Sequence, residues 1–279
     1  MEQEGCIVHQ KGACSMLNKL NQIPTEVSIR KQLRKIIYGS HLFCPKCHSR
    51  YVYRSEDRYR CRKCRRPFSL LSGTWLMAMK LDLRTFWLVL WCWTEKVPVL
   101  QTQHLCSLSE EAARHWFRQF RLHLPEFDPI LEQVVQLDEA YFKSLSLVMA
   151  KQPGTRKLAY QIIHKTSVDR HEAAHFLFER VKPHSQLNTD GAAIYVGIDK
   201  WWPVNHQRDI HKRWEFGLTS EIEGMFGVLR TFIRRMYHHV TPEYLPEVVA
   251  EFATRFSHPE IFESPIKYLE KTLISVPLD

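Results

Sequence analysis

Apolar positions recur at helical spacing through much of the first half of the chain. From Thr25, residues Ile29, Leu33, Ile36 and Ile37 share one face, Thr25 supplies an N-cap and Gly39 a stop, which predicts a helix. Its other face carries Arg30, Lys31, Arg34 and Lys35, either solvated or set against an anionic partner. Asp82 caps a helix through Thr94, with Phe86, Trp87, Leu90 and Trp91 making a broad apolar face. Val99–Cys106 predicts another helix, Ser107-Leu108-Ser109 a tight turn, and Ser109–Leu122 a further helix. In the last of these, Ala113, Trp116, Phe117, Phe120 and Leu124 face inward, while Arg114, Arg118 and Arg121 form an outward stripe.

The pattern changes after Leu124-Pro125 and Asp128-Pro129, which mark a boundary. Val-Val-Gln-Leu from Val134 reads as a short buried strand that delivers Asp138 to its end. Ser146–Lys151 and Lys157–His164 are strands joined at Pro153-Gly154, and His171–Arg180 is a helix with Ala174, Leu177 and Phe178 inward. Gln186–Asp190 is a further strand, followed by a short connection to His206. Thr219–Arg235 is an amphipathic helix packing through Ile222, Met225, Phe226 and Leu229. A three-strand meander, a helix, a strand and a final helix predict an α/β domain with a ribonuclease-H-like mixed sheet and flanking helices. In that layout the first and fourth strands are neighbours, so Asp138 and Asp190 meet.

At 279 residues there is room for two or three cores. The predicted division is an N-terminal helical segment (1–40), a small metal ribbon (41–72), a helical region (73–125), the α/β domain (128–258) and a tail (259–279). Hydrophobic and charged contents of 44% and 25% are ordinary for a globular chain. A net charge of +9 with clustered basic residues favours a polyanionic partner, nucleic acid ahead of a membrane surface. No run reaches the roughly 18 apolar residues of a membrane span, and Glu2 and Glu4 stand where a signal core would begin. An intracellular chain is expected, with reduced thiols.

In such a compartment, eight cysteines point to metal for some of them. Cys44-Pro-Lys-Cys47 and Cys61-Arg-Lys-Cys64 flank a hairpin-like YVYRSEDRYR and supply thiolates for a tetrahedral, structural zinc. The alternative, buried reduced cysteines, sits poorly among so many charges. Arg58, Arg60, Arg62, Lys63, Arg65 and Arg66 crowd this ribbon and suit phosphate contact that positions DNA without reading it. The helices at 82–122 suggest a helix-turn-helix whose last helix enters the major groove, the alternative being a small bundle with a solvated basic face.

Asp138, Asp190 and Glu223 lie about 52 and about 33 positions apart, at two strand ends and on a helix. Each alone would pass as a capping or solvated acid. Together they suit two Mg²⁺ or Mn²⁺ ions and phosphoryl transfer. Ser220, Gly227 and Arg230 share the Glu223 stripe, with Arg230 placed to approach a phosphate two turns along, whereas Glu221 points about 200° away. His206, His211 and His238 are weighed as substrate contacts against a more ordinary structural role.

CPKC…CRKC with RRPFSLLSGT, then LDEAYF, NTDGAAIY, VNH…TSEIEGMFGVLR and MYHHVTPEYLPEVVAEFATRF resemble an insertion-sequence DDE transposase of the bacterial group related to eukaryotic Merlin elements. The resemblance spans roughly residues 41–256. It implies a zinc ribbon and helical region that bind double-stranded DNA at terminal inverted repeats, and a catalytic domain that cuts and joins DNA ends as a homo-oligomer, the acids falling on Asp138, Asp190 and Glu223. Ser220 stands where many relatives carry Asn, Arg230 where Lys is frequent, and Phe226 where Trp is frequent. A non-catalytic DNA-binding regulator and a nuclease that cuts without joining are the competing classes.

Overall fold

The computed structural model describes residues 23–209 and 217–273. The described residues divide into two compact units, one of 23–95, 100–116 and 263–273, the other of 96–99, 117–209 and 217–262.

In the first unit α1 (Glu26–Tyr38) begins where Thr25 Oγ1 accepts from Ser28 N–H at 3.3 Å and ends at Gly39, whose φ of +63° favours glycine. Ile29 and Leu33 are fully buried. β1 (Val52–Ser55) and β2 (Arg58–Cys61) form the expected hairpin, and β3 (Pro67–Phe68) pairs with β2 to complete a small antiparallel sheet. α2 (Leu83–Thr94) starts at Asp82, whose carboxylate accepts from the N–H groups of Arg84 and Thr85 at 3.0 and 2.9 Å; its pKa is lowered, first by hydrogen bonding from Thr85. α3 (Val99–Cys106) keeps its predicted bounds and α4 (Glu110–Leu122) starts one residue later than expected, with Val99 and residues 117–122 counted in the second unit. The expected tail contains α8 (Pro265–Thr272), capped by Ser264, with Tyr268 edge-on to Trp93 at 5.1 Å. Its Tyr268 and Leu269 are fully buried, so this stretch is a packed element of the first unit.

The second unit is built on a five-stranded sheet of β4 (Val134–Tyr141), β5 (Ser146–Lys151), β6 (Leu158–Ile163), β7 (Gln186–Thr189) and β8 (Asn205–Arg208), in the order β6-β5-β4-β7-β8. β4, β5 and β6 are an antiparallel meander, and β7 lies parallel against β4. This strand order and these directions are those of a ribonuclease-H-like sheet. α5 (Arg170–Arg180) opens on an Asp169–Glu172 capping box. One apolar layer joins Val135, Leu137, Phe176 and Leu187 on the α5 side. The other joins Ala140, Leu147 and Met149 to Ile222, Met225 and Leu229 of α6 (Ser220–Tyr237) and to Val249 and Phe252 of α7 (Leu245–Ser257).

Further expectations change. The connection before His206 contains a fifth strand, β8 (Asn205–Arg208), parallel to β7. Phe178 is not inward: it is 66% exposed, edge-on to Trp202 at 5.2 Å. Arg121 is not on an outward stripe. Its side chain is 7% exposed, near Glu247 and Glu251 at 3.7 and 3.8 Å and 5.0 Å over the Tyr237 ring. Acids on α7 cover that end of the stripe. Among the described residues no helix is long and apolar enough to cross a membrane.

Candidate active site and metal centre

The sheet places the strand acids. β4 and β7 pair in parallel with Val134 opposite Gln186 and Gln136 opposite Asn188, so continuing the register sets Asp138 opposite Asp190. β4 runs past Asp138 to Tyr141, so Asp138 lies within the strand and not at its end. It lies beyond the residues paired with β7, where the sheet opens. Alternation puts Gln136, Asp138 and Ala140 on the α6 face and Leu137 and Glu139 on the α5 face. Glu223 lies in the first turn of α6 on that same α6 side, and its Oε1 accepts from Thr219 Oγ1 at 2.9 Å.

The carboxyl of Asp138 is pushed up to about 7. Burial is the largest cause, and the charges of Glu139, Asp190 and Glu223 add to it against the Glu139 N–H that donates to Oδ1 at 2.8 Å. Negative groups therefore converge here. Hard oxygen donors of this kind fit Mg²⁺ or Mn²⁺. The arrangement is more open than the cysteine cluster: among the described residues, only the cysteines bring three or more ligand atoms within 4.8 Å of one another. Asp190 Oδ1 accepts from Ala192 N–H at 3.0 Å, which holds the turn after β7.

Glu221 is turned away, as its helical angle predicts, onto Lys151 and the Gly154 N–H. The lysine draws its carboxyl below the ordinary range. Ser220 and Arg230 are exposed on α6. His206 Nε2 bonds Thr189 Oγ1 at 2.9 Å, and burial lowers its pKa. His238 ends α6 at φ +63°, and His211 lies outside the described residues. A cavity of about 700 Å³ along β6 and α7 includes none of the candidate acids.

Several polar partners escape a reading of the sequence. Glu139 takes hydrogen bonds from the hydroxyls of Tyr195 and Tyr141, and burial raises its pKa. Gln136 Oε1 accepts from Ile222 N–H at 2.9 Å. Buried Asp209 Oδ2 accepts from Leu218 N–H at 2.9 Å and lies 3.2 Å from Thr219 Oγ1. A glutamine inside the apolar run Val-Val-Gln-Leu is the available signal for Gln136, since buried amides need partners. Asp209 carries no such local mark.

In the ribbon, Sγ of Cys44 and Cys64 are 3.6 Å apart and those of Cys47 and Cys61 3.5 Å. Tetrahedral zinc with bonds of about 2.3 Å sets its sulfurs about 3.8 Å apart, so the cluster fits that ion. Burial pushes the Cys44 thiol up to about 11. For Cys61, burial is outweighed by the Cys64 and Lys63 N–H groups and neighbouring thiols, which bring it down to about 6. Arg62, Lys63, Arg65 and Arg66 lie around this cluster, and among the described residues none is ion-paired to an acid. Arg114 instead holds Glu110 at 2.7 Å, and Arg118 holds Glu247 at 2.9 Å.

Residues 24–67 match the transposase zinc-ribbon domain, and residues 143–257 match the ISXO2-like transposase domain. The second match contains Asp190, Glu223 and Arg230 and begins after Asp138. No curated protein matches the chain. Among solved structures, a chain of the simian T-cell lymphotropic virus intasome in complex with PP2A regulatory subunit B56 gamma is 14% identical, over 61% of this chain and 68% of that one, with a TM-score of 0.34. The catalytic core domain of BIV integrase is 12% identical over 44% and 83%, with a TM-score of 0.32. Likenesses this distant carry no weight for function. The two family matches place the chain with the insertion-sequence transposases that join a zinc ribbon to a DDE-type catalytic domain.

Proposed function

We propose that the chain is a DNA transposase that binds element ends and carries out phosphodiester hydrolysis and strand transfer at Asp138, Asp190 and Glu223. The observation that carries this reading is the convergence of acids around Asp138, whose carboxyl is raised by burial and by the charges of its neighbours. Such mutual repulsion suits a site that receives divalent cations. Bound there, a pair of Mg²⁺ or Mn²⁺ ions supplies Lewis acidity to the attacking and leaving oxygens of an in-line displacement.

Asp138 and Asp190, opposite each other by the continued register of β4 and β7, and Glu223 on the α6 side would hold the ions. Arg230, two turns along the same helix, meets a substrate phosphate. In hydrolysis a water oxygen bonds to phosphorus and the bond to the 3′ oxygen breaks, freeing a 3′-hydroxyl. That hydroxyl then attacks a target phosphodiester and displaces a target 3′ oxygen. Arg62, Lys63, Arg65 and Arg66 hold the duplex backbone beside the structural zinc, with Arg114 and Arg118 able to exchange their acids for phosphate. Joining paired ends requires at least two protomers on the DNA.

The test uses DNA carrying the element's ends with Mg²⁺ or Mn²⁺, the parental chain beside Asp190→Asn. Nicked and joined products from the parental chain alone, with DNA binding kept in the variant, are expected. Cutting without joining would indicate a nuclease. Binding with no metal-dependent cleavage on verified ends would overturn the enzyme reading in favour of a regulator.

A further inference from the structure

The first turn of α6 is held by the strands that carry the other acids. Gln136 lies two residues before Asp138 on the same face of β4 and accepts from Ile222 N–H at 2.9 Å. Asn188 lies two residues before Asp190, and its Nδ2 donates to Leu218 O at 3.4 Å. Asp209, one residue past β8, accepts from Leu218 N–H at 2.9 Å. Register continues across these strands, since Asn188 pairs with Gln207, so Asp209 falls opposite Asp190. The helix carrying the third acid is thus indexed to the rows carrying the first two.

Thr219 links this clamp to the carboxylate. It occupies the N-cap position of α6, yet its hydroxyl makes no capping bond. The residue is buried, and its hydroxyl lies 2.9 Å from Glu223 Oε1 and 3.2 Å from Asp209 Oδ2. It has one proton to donate, and the shorter distance is to Glu223. Glu223 is itself exposed, so without this bond its side chain would sample several rotamers.

We propose that Thr219, backed by Asp209 and Gln136, is the positioning residue that orients Glu223 toward Asp138 and Asp190. The proposal rests on those acids forming one cation site. Partners that orient metal-binding carboxylates act through affinity as well as rate.

The experiment measures Mn²⁺ binding to the zinc-loaded full chain by calorimetry, for the parental protein, Thr219→Val and Thr219→Ser. Valine keeps the shape and loses the hydroxyl; serine keeps the hydroxyl. Thr219→Val should weaken Mn²⁺ binding about tenfold or more, and Thr219→Ser should stay within about twofold of the parent. DNA cleavage should need correspondingly more Mn²⁺ in Thr219→Val, while DNA binding without divalent metal is unchanged. A folded Thr219→Val that binds Mn²⁺ like the parent overturns the proposal. If Thr219→Val does not fold, Gln136→Met takes its place with the same expected loss, and parental affinity there overturns it equally. If the parental chain binds no Mn²⁺, the cation site itself fails, and with it the reading on which this rests.

Discussion

Asp138 is a carboxyl that the fold makes costly to ionise, and stability should report that cost. Its pKa rises from the ordinary 3.8 to about 7, chiefly through burial. Below about pH 4 folded and unfolded chains both hold the proton and the group contributes nothing. As pH rises toward 7 only the unfolded chain releases it, so stability falls, and above 7 the full cost is present. Asp138→Asn should therefore be more stable than the zinc-loaded parent in Mg²⁺- and Mn²⁺-free buffer near pH 8, by on the order of 1–2 kcal/mol after allowance for solvent screening, with the gain vanishing near pH 4. Thermal melts at the two pH values check this. Arg121 makes the opposite case: Glu251 is fully buried, and Arg121→Ala removes one of its cationic partners, Arg255 at 2.8 Å being another. A loss of about 3 kcal/mol is expected in urea unfolding, whereas Arg114→Ala, at an exposed pair, should leave the midpoint in place. Periodicity reads Arg114, Arg118 and Arg121 alike because they share one stripe. Only the Glu247 and Glu251 side of α7 distinguishes them, and an i, i+4 pair of glutamates is unremarkable in a sequence.

Elements with strong periodic patterns are legible in the sequence, and those held by backbone pairing alone are not. α1, α2, α4 and α6 carry apolar stripes that cannot be left in water, and the caps at Thr25 and Asp82 are visible as residue types. β8 is Asn-His-Gln-Arg, an edge strand whose hydrogen bonds to β7 need no apolar side chain. Phe178 reads as inward because aromatic residues usually are, yet Ala173, Ala174, Phe176 and Leu177 already fill that face of α5. The strand acids are legible through topology, but their hydrogen-bonding partners are not, since a buried amide announces only that some partner exists. The ribbon's short sheet offers little apolar area, with Cys61 and Phe68 its buried strand residues, so the metal must supply much of its stability. Stripping zinc with a strong chelator should abolish amide protection across residues 44–68, as hydrogen exchange would reveal; retained protection would argue that the cysteines pack without metal.

Over the whole molecule, a net charge of +9 should govern how the chain meets DNA. Binding should weaken steeply with salt, and replacing Arg62, Lys63, Arg65 and Arg66 by alanine should reduce the slope of log affinity against log salt by about 0.9 for each phosphate no longer neutralised. Filter binding across a salt series gives that slope directly; an unchanged slope would remove the ribbon from the DNA interface. The parallel pairing of β4 with β7 also sets a timetable for synthesis. β4, β5 and β6 can assemble from neighbouring sequence as they leave the ribosome, but one side of β4 stays bare until Gln186–Thr189 follows. Asp190 then joins Asp138, and Glu223 arrives only after α6 has been made. A nascent or truncated chain that ends before α6 possesses the ribbon and both strand acids but lacks the third acid, so the full acid set appears only once α6 has been made.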